Sequence, residues 1–191
     1  MYLERVIGDR TKSNSWFLFK KKEDNDCIII DINENSKNFI ITNHNNPVGI
    51  ILTHEHFDHC FCSDEITGQY NIPLYCSRQS AIAIKNSRKN LSFYSEYQEF
   101  KVEKNIITVE DKDEITLNGI KFFFYYTPGH SLGSMCIRTG EYLFTGDTYM
   151  NDYKPTTRFP GGNKESLKTS LDLIMHLIVI DKLKILPGHG R

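Results

Sequence analysis

Short apolar runs, rich in β-branched and aromatic residues, recur along the whole chain between turn residues such as Asn, Asp, Gly and Pro. Trp16 to Phe19, Cys27 to Ile32, Val48 to Thr53, Ile72 to Cys76, Ile106 to Val109, Ile120 to Thr127, Met135 to Arg138, Tyr142 to Thr145 and Lys184 to Pro187 each have strand length and predict strands. Asn118-Gly119, between Ile115-Thr116-Leu117 and Ile120 to Phe124, signals a hairpin. Helical spacing is rarer. Ser63 to Tyr70 predicts a short helix, and Gln79 to Lys89 another with Ala81, Ile82 and Ile84 apolar. The clearest is Lys164 to Ile180, where Leu167, Leu171, Ile174, Met175 and Ile178 recur at helical spacing after an N-cap at Asn163. Many strands with a few helices between them predict sheets covered on their outer faces by helices.

The 191 residues suit one domain, 1–191, with a full core. Apolar residues at 39% and charged residues at 25% argue against disorder. A formal net charge of -1 gives no reason to expect nucleic acid or an anionic membrane as partner, which leaves a small-molecule substrate. No apolar run approaches the roughly 18 to 20 residues that span a bilayer, and Met1 to Arg5 lacks the shape of a signal peptide. The five cysteines are odd in number and scattered, which predicts reduced thiols and a cytoplasmic location.

The chemistry is concentrated at strand ends. His54-Glu55-His56-Phe57-Asp58-His59 directly follows the run ending at Thr53 and supplies three imidazoles and an aspartate. These are ligands for a borderline divalent ion such as zinc, iron or manganese. Three more ligand-type residues repeat the design of apolar strand, glycine, ligand: His130 in Pro128-Gly129-His130, Asp147 in Gly146-Asp147-Thr148, and His189 in Pro187-Gly188-His189. Glycine there permits sharp turns and close approach. Each of these three motifs alone reads as an ordinary turn, but their joint occurrence at strand ends does not.

Two rival metal motifs fail on spacing. A zincin needs histidines at i and i+4, whereas Asp58 follows His54 at that distance and Cys60 follows His56. Cys60-Phe61-Cys62 has no second cysteine pair to complete a zinc knuckle. Cys60 reads as a small buried residue, His44 as a loop residue and His176 as a helix-face residue.

The set His54, His56, Asp58, His59, His130, Asp147 and His189 resembles the metallo-β-lactamase-fold superfamily over nearly the whole chain. Thr127 to Ser134, Phe144 to Thr148, Leu186 to Gly190 and Phe159-Pro160-Gly161-Gly162 are similar to signatures of its small glyoxalase II-like (hydroxyacylglutathione hydrolase-like) branch. The resemblance implies an α/β (α+β) fold, a four-layer αββα sandwich with the site at one edge. It implies two divalent ions, zinc first and iron or manganese next: one on His54, His56 and His130, the other on Asp58, His59 and His189, with Asp147 between them. It further implies hydrolysis of a small thioester, ester or lactone by metal-activated water, with Asp58 as the catalytic carboxylate. Tyr149 and Arg158, near the Asp147 loop, are candidates for substrate contact.

The chain also departs from that branch. Cys60-Phe61 stands where the branch has glycine, and Pro155-Thr156-Thr157-Arg158 stands for Gly-Arg-Thr-Asp, which reverses a charge. The helical domain of the long-form enzymes is not expected after His189. That position also predicts a last ligand prone to fraying unless metal holds it. Two rivals remain. A persulfide dioxygenase of the same fold would hold one iron on His54, His130 and Asp147. A non-catalytic metal-binding protein would keep the ligands without the activity.

Overall fold

A computed structural model describes residues 1–190. The first sheet runs β1 (Tyr2–Ile7), β2 (Asn14–Phe19), β3 (Asp26–Ile30), β4 (Asn46–Ile51), β5 (Leu74–Ser77) and β6 (Ile106–Val109), neighbours in that order. Its first three strands are antiparallel, and β3 to β6 run parallel. The second sheet has the order β11 (Lys184–Pro187), β10 (Tyr142–Gly146), β9 (Met135–Thr139), β8 (Ile120–Tyr126), β7 (Glu114–Leu117). Four helices complete the fold: α1 (Ser36–Thr42), α2 (Ser63–Tyr70), α3 (Arg78–Ala83) and α4 (Lys164–Asp181).

Strand periodicity explains the layers. In the second sheet Phe122, Phe124, Met135, Ile137 and Phe144 point into one core with Phe17, Ile28 and Ile50 of the first sheet. The intervening residues Cys136 and Leu143 point the other way and pack with Ile174 and Leu177 of α4. Strands β3 and β4, inside the first sheet, are buried almost continuously, as strands covered on both faces are. Ile40 of α1, Ile66 of α2 and Ala81 of α3 join their core. The result is the expected αββα sandwich.

Each predicted run falls on an observed strand, and the Asn118-Gly119 turn has both residues at positive φ, 47° and 72°. Three features differ. The helix expected over Gln79 to Lys89 stops at Ala83, because the Asn86 side chain accepts from Arg88 N at 3.0 Å and Lys89 N at 3.2 Å and draws the chain into turns. Met175 is 45% exposed, and Leu177 takes its expected place in the core. Strand β1 and helix α1 were not predicted. Among the described residues no helix is long and apolar enough to cross a membrane.

Candidate metal centre

Four strand ends converge at one edge of the sandwich. Beyond β4, the carbonyl of Thr53 accepts from Met135 N at 2.8 Å and locks the two sheets together where the ligand loop begins. His54 and His56 follow, then one 3-10 turn, Phe57–His59, carries Asp58 and His59. His130, Asp147 and His189 follow β8, β10 and β11. Two glycines make the convergence possible. Gly146 has φ +48°, and a Cβ on it would lie 2.4 Å from Thr53 Oγ1. A Cβ on Gly188 would lie 2.3 Å from Asp147 Oδ1.

The ligand atoms form two groups. Those of His54, His56 and His130 lie within 4.8 Å of one another, as do those of Asp58, His59 and His189. The first three rings surround a common point, with centroids 4.7 to 4.9 Å apart. Asp147 touches both groups: Oδ1 is 3.5 Å from His59 Nε2, and Oδ2 is 3.6 Å from His130 Nε2 and 3.5 Å from His189 Nε2. The structure thus brings together all seven residues that the sequence singled out as ligands.

Protein hydrogen bonds on the far side of the rings decide which nitrogens face inward. Thr53 Oγ1 gives its one proton to Asp31 Oδ2 at 2.7 Å, so toward His54 Nδ1, 3.1 Å away, it accepts. That fixes the proton of His54 on Nδ1 and leaves Nε2 a bare lone pair. His130 Nδ1 donates to the carbonyl of Thr156 at 3.0 Å, which leaves the proton off Nε2, and that nitrogen accepts from His56 Nδ1 at 2.9 Å. His59 Nδ1 donates to Asp31 Oδ2 at 2.9 Å. Among the described residues the buried His54 Nε2, His56 Nε2 and Asp147 Oδ1 have no hydrogen-bond partner. Orphaned buried polar atoms cost about 1–3 kcal/mol each. Imidazole lone pairs and carboxylates aimed at one another are the donor set that divalent cations satisfy.

Electrostatics agree. Burial, and then the surrounding imidazoles of His59, His56 and His130, holds His54 well below the usual histidine range. Burial and His130 do the same for His56, so both remain neutral. Burial opposes charge on Asp58 and on His59 as well, but their mutual attraction wins. His59 beside Asp58, Asp147 and Asp31 is raised to about 10, and Asp58 is driven below the usual carboxylate range by His59 and His189.

Residues 8–189 match the sequence profile of the metallo-beta-lactamase superfamily. The chain belongs to that superfamily. It is 28% identical over 188 residues to YqgX of Bacillus subtilis (strain 168), a probable metallo-hydrolase, covering 94% of this chain and 85% of that one. It is 27% identical over 141 residues to PksB of the same organism, a probable polyketide biosynthesis zinc-dependent hydrolase, covering 74% and 56%. Its fold matches the crystal structure of the BLEG-1 B3 metallo-beta-lactamase with a TM-score of 0.85 at 22% identity, covering all of this chain and 92% of that one. It matches TTHA1623 in a di-iron-bound form with a TM-score of 0.82 at 22% identity, covering 98% and 92%. The likeness to these two structures is one of fold.

Within this superfamily centre, sequence reading missed the residues that hold the ligands. Asp31 also lies within 4.8 Å of His54 and His59, but its carboxylate is taken by Thr53 N, Thr53 Oγ1 and His59 Nδ1. It is a support, not a ligand. Its signal was available, since it too directly follows a buried strand, here with φ +55°. Buried Glu55 accepts from Ser80 Oγ at 3.0 Å and Ser131 Oγ at 2.9 Å, and so ties the His54–His59 loop to α3 and to the His130 loop.

The loop that carries His189 is held by hydrogen bonds from β1 and β2. Asn14 N donates to Gly188 O at 2.7 Å, Asn14 Nδ2 to Pro187 O at 3.0 Å, Trp16 Nε1 to Pro187 O at 3.2 Å and Arg5 Nη1 to Gly190 O at 2.8 Å. Tyr149 is half-buried and packs against the α4 cluster. Arg158 is exposed on the loop after Asp147, where its N–H donates to Thr156 Oγ1. Cys60 is fully buried, and His44 and His176 are exposed away from both groups.

Proposed function

We propose that this protein is a metallo-hydrolase that works with two divalent ions on a small thioester, ester or lactone, in the manner of the glyoxalase II-like branch its motifs resemble. The observation that carries this reading is the pairing of the two ligand groups through Asp147. An imidazole and carboxylate donor set suits zinc, and PksB is named a zinc-dependent hydrolase. Iron or manganese fits the same donors, and TTHA1623 is described with two irons. His54, His56 and His130 would hold one ion, Asp58, His59 and His189 the other, and Asp147 both. Ions bound there supply water acidified from a pKa near 15.7 to about 7 and polarisation of the carbonyl oxygen.

The chain's own residues do the rest. Asp58, ionised at neutral pH and 3.2 Å from His189 Nε2, orients the attacking water and is the carboxylate able to carry its proton to the leaving group. Thr53, Asp31 and the Thr156 carbonyl keep the ring tautomers fixed through the cycle. All five cysteines are free, which supports a reducing, cytoplasmic setting.

The test is a panel of thioester, lactone, ester and persulfide substrates with the protein as isolated. Hydrolysis is expected, with a loss of about 10²–10⁴-fold in Asp58→Asn. Oxygen uptake with persulfide at one iron per chain would establish the dioxygenase instead. Activity indifferent to both His56→Ala and Asp58→Ala would leave only a binding protein.

A further inference from the structure

A cavity of about 470 Å³ adjoins the metal loop, within the roughly 300–1,000 Å³ typical of small-molecule sites. Phe57, Leu91, Tyr94, Tyr97, Phe159 and Pro160 form its apolar walls. Phe57 sits between the ligands His56 and Asp58, and the Phe159 ring lies edge-on to His56 at 5.5 Å. The cavity therefore lies beside the metal loop, and Phe159 belongs both to its wall and to the surroundings of His56.

Three observations define what fits it. First, its charges are already engaged. Arg10 pairs with Glu96 and lies 4.7 Å over the ring of Tyr97, whose hydroxyl donates to Glu34 at 3.2 Å. Second, Tyr94 is 64% and Phe159 45% exposed, so a large apolar area faces water at the mouth. Third, the cavity is preformed. Phe57 N donates to Asn90 O at 2.7 Å, and the buried Asn90 side chain holds Ser92 N at 2.9 Å and Phe100 O at 3.0 Å. Leu91 is kept at φ +68°, a strained conformation for a branched side chain. A second cavity, about 750 Å³, has Asp147 and His189 in its wall and carries Arg5 and Lys12. The polar part of a substrate belongs there.

We infer that this cavity selects the acyl side of the substrate and takes a neutral, apolar acyl or aryl group. The inference rests on the hydrolase reading above and narrows it to thioesters or esters of medium-chain or aryl carboxylic acids.

The test compares kcat/KM for acetyl, butanoyl, hexanoyl and succinyl thioesters of one thiol. It adds calorimetric binding of the hexyl thioether that cannot be hydrolysed. Each methylene that enters the cavity is expected to raise kcat/KM about fourfold, so hexanoyl outruns acetyl by over a hundredfold. Succinyl is expected to fall below butanoyl. In Tyr94→Ala the hexanoyl-to-acetyl ratio is expected to shrink at least fivefold, with thioether binding weakened in step. Hydrolysis with a flat chain-length profile, or a preference for succinyl, would overturn the apolar cavity while leaving the hydrolase reading intact. Hexyl thioether binding that Tyr94→Ala weakens, with no hydrolysis of any member, would support the cavity and sink the hydrolase reading. A Tyr94→Ala protein with an unchanged ratio and unchanged thioether binding would contradict the assignment of this wall.

Discussion

Asp31 touches no ion in the proposed centre, yet it sets the chemistry of two ligands at once. Through Thr53 it fixes the tautomer of His54, and directly it orients His59. Replacing such a support costs about 10–100-fold in metal affinity, so Asp31→Ala is expected to lose that much in competition against a chromophoric chelator. Unchanged affinity would show that the rings orient themselves. The same carboxylate enters the pH dependence. In the metal-free protein burial opposes charge on His59, but Asp58, Asp147 and Asp31 raise it to about 10. Its folded-state value thus lies above the unfolded value of about 6.5, so its contribution is fully present below pH 6.5 and lost as pH rises through 10. With chelator present, Tm is expected to decline over that window, and less steeply in Asp31→Asn. Parallel wild-type and variant profiles would contradict this. The ligands themselves were legible in the sequence because metal chemistry demands particular side chains after strand ends. Asp31 follows a strand end as the ligands do, but its supporting role and that of Glu55 were not legible, because a carboxylate's partners, here Thr53 with His59 and Ser80 with Ser131, come from elements distant in sequence.

At the scale of elements, the β1–β2 hairpin acts as the clamp on the last ligand. Asn14 alone donates to the carbonyls of Gly188, Pro187 and Gly190. Asn14→Ala removes its two side-chain bonds at about 1 kcal/mol each. A drop of about 2 kcal/mol in unfolding free energy is expected, with the ion at Asp58, His59 and His189 lost before the other on dilution. Simultaneous loss of both ions would argue against a separate clamp. Strand β1 escaped sequence reading because Tyr2 to Ile7, charged at Glu4 and Arg5, never becomes a continuous apolar run. Helix α1 has seven residues and no side-chain cap, so it carries little local signal. The nine predicted strands were legible because their apolar and β-branched residues fall in period-two or continuous runs.

For the whole molecule, one core joins the two sheets and holds the ligand edge. Phe144 is buried in that core one strand-end away from Asp147. Phe144→Ala is expected to cost about 3–5 kcal/mol in denaturant unfolding, with metal content falling because the β10 end loses its seat. Ions that bind only the folded state stabilise it by mass action, so removal by chelator should lower Tm reversibly. The central claim is that the seven convergent ligands form a two-ion centre. Elemental analysis of the purified, metal-saturated chain tests it most directly. Two divalent ions per chain are expected in the wild type and one in His189→Ala. One ion per chain in the saturated wild type, unchanged by His189→Ala, would contradict it.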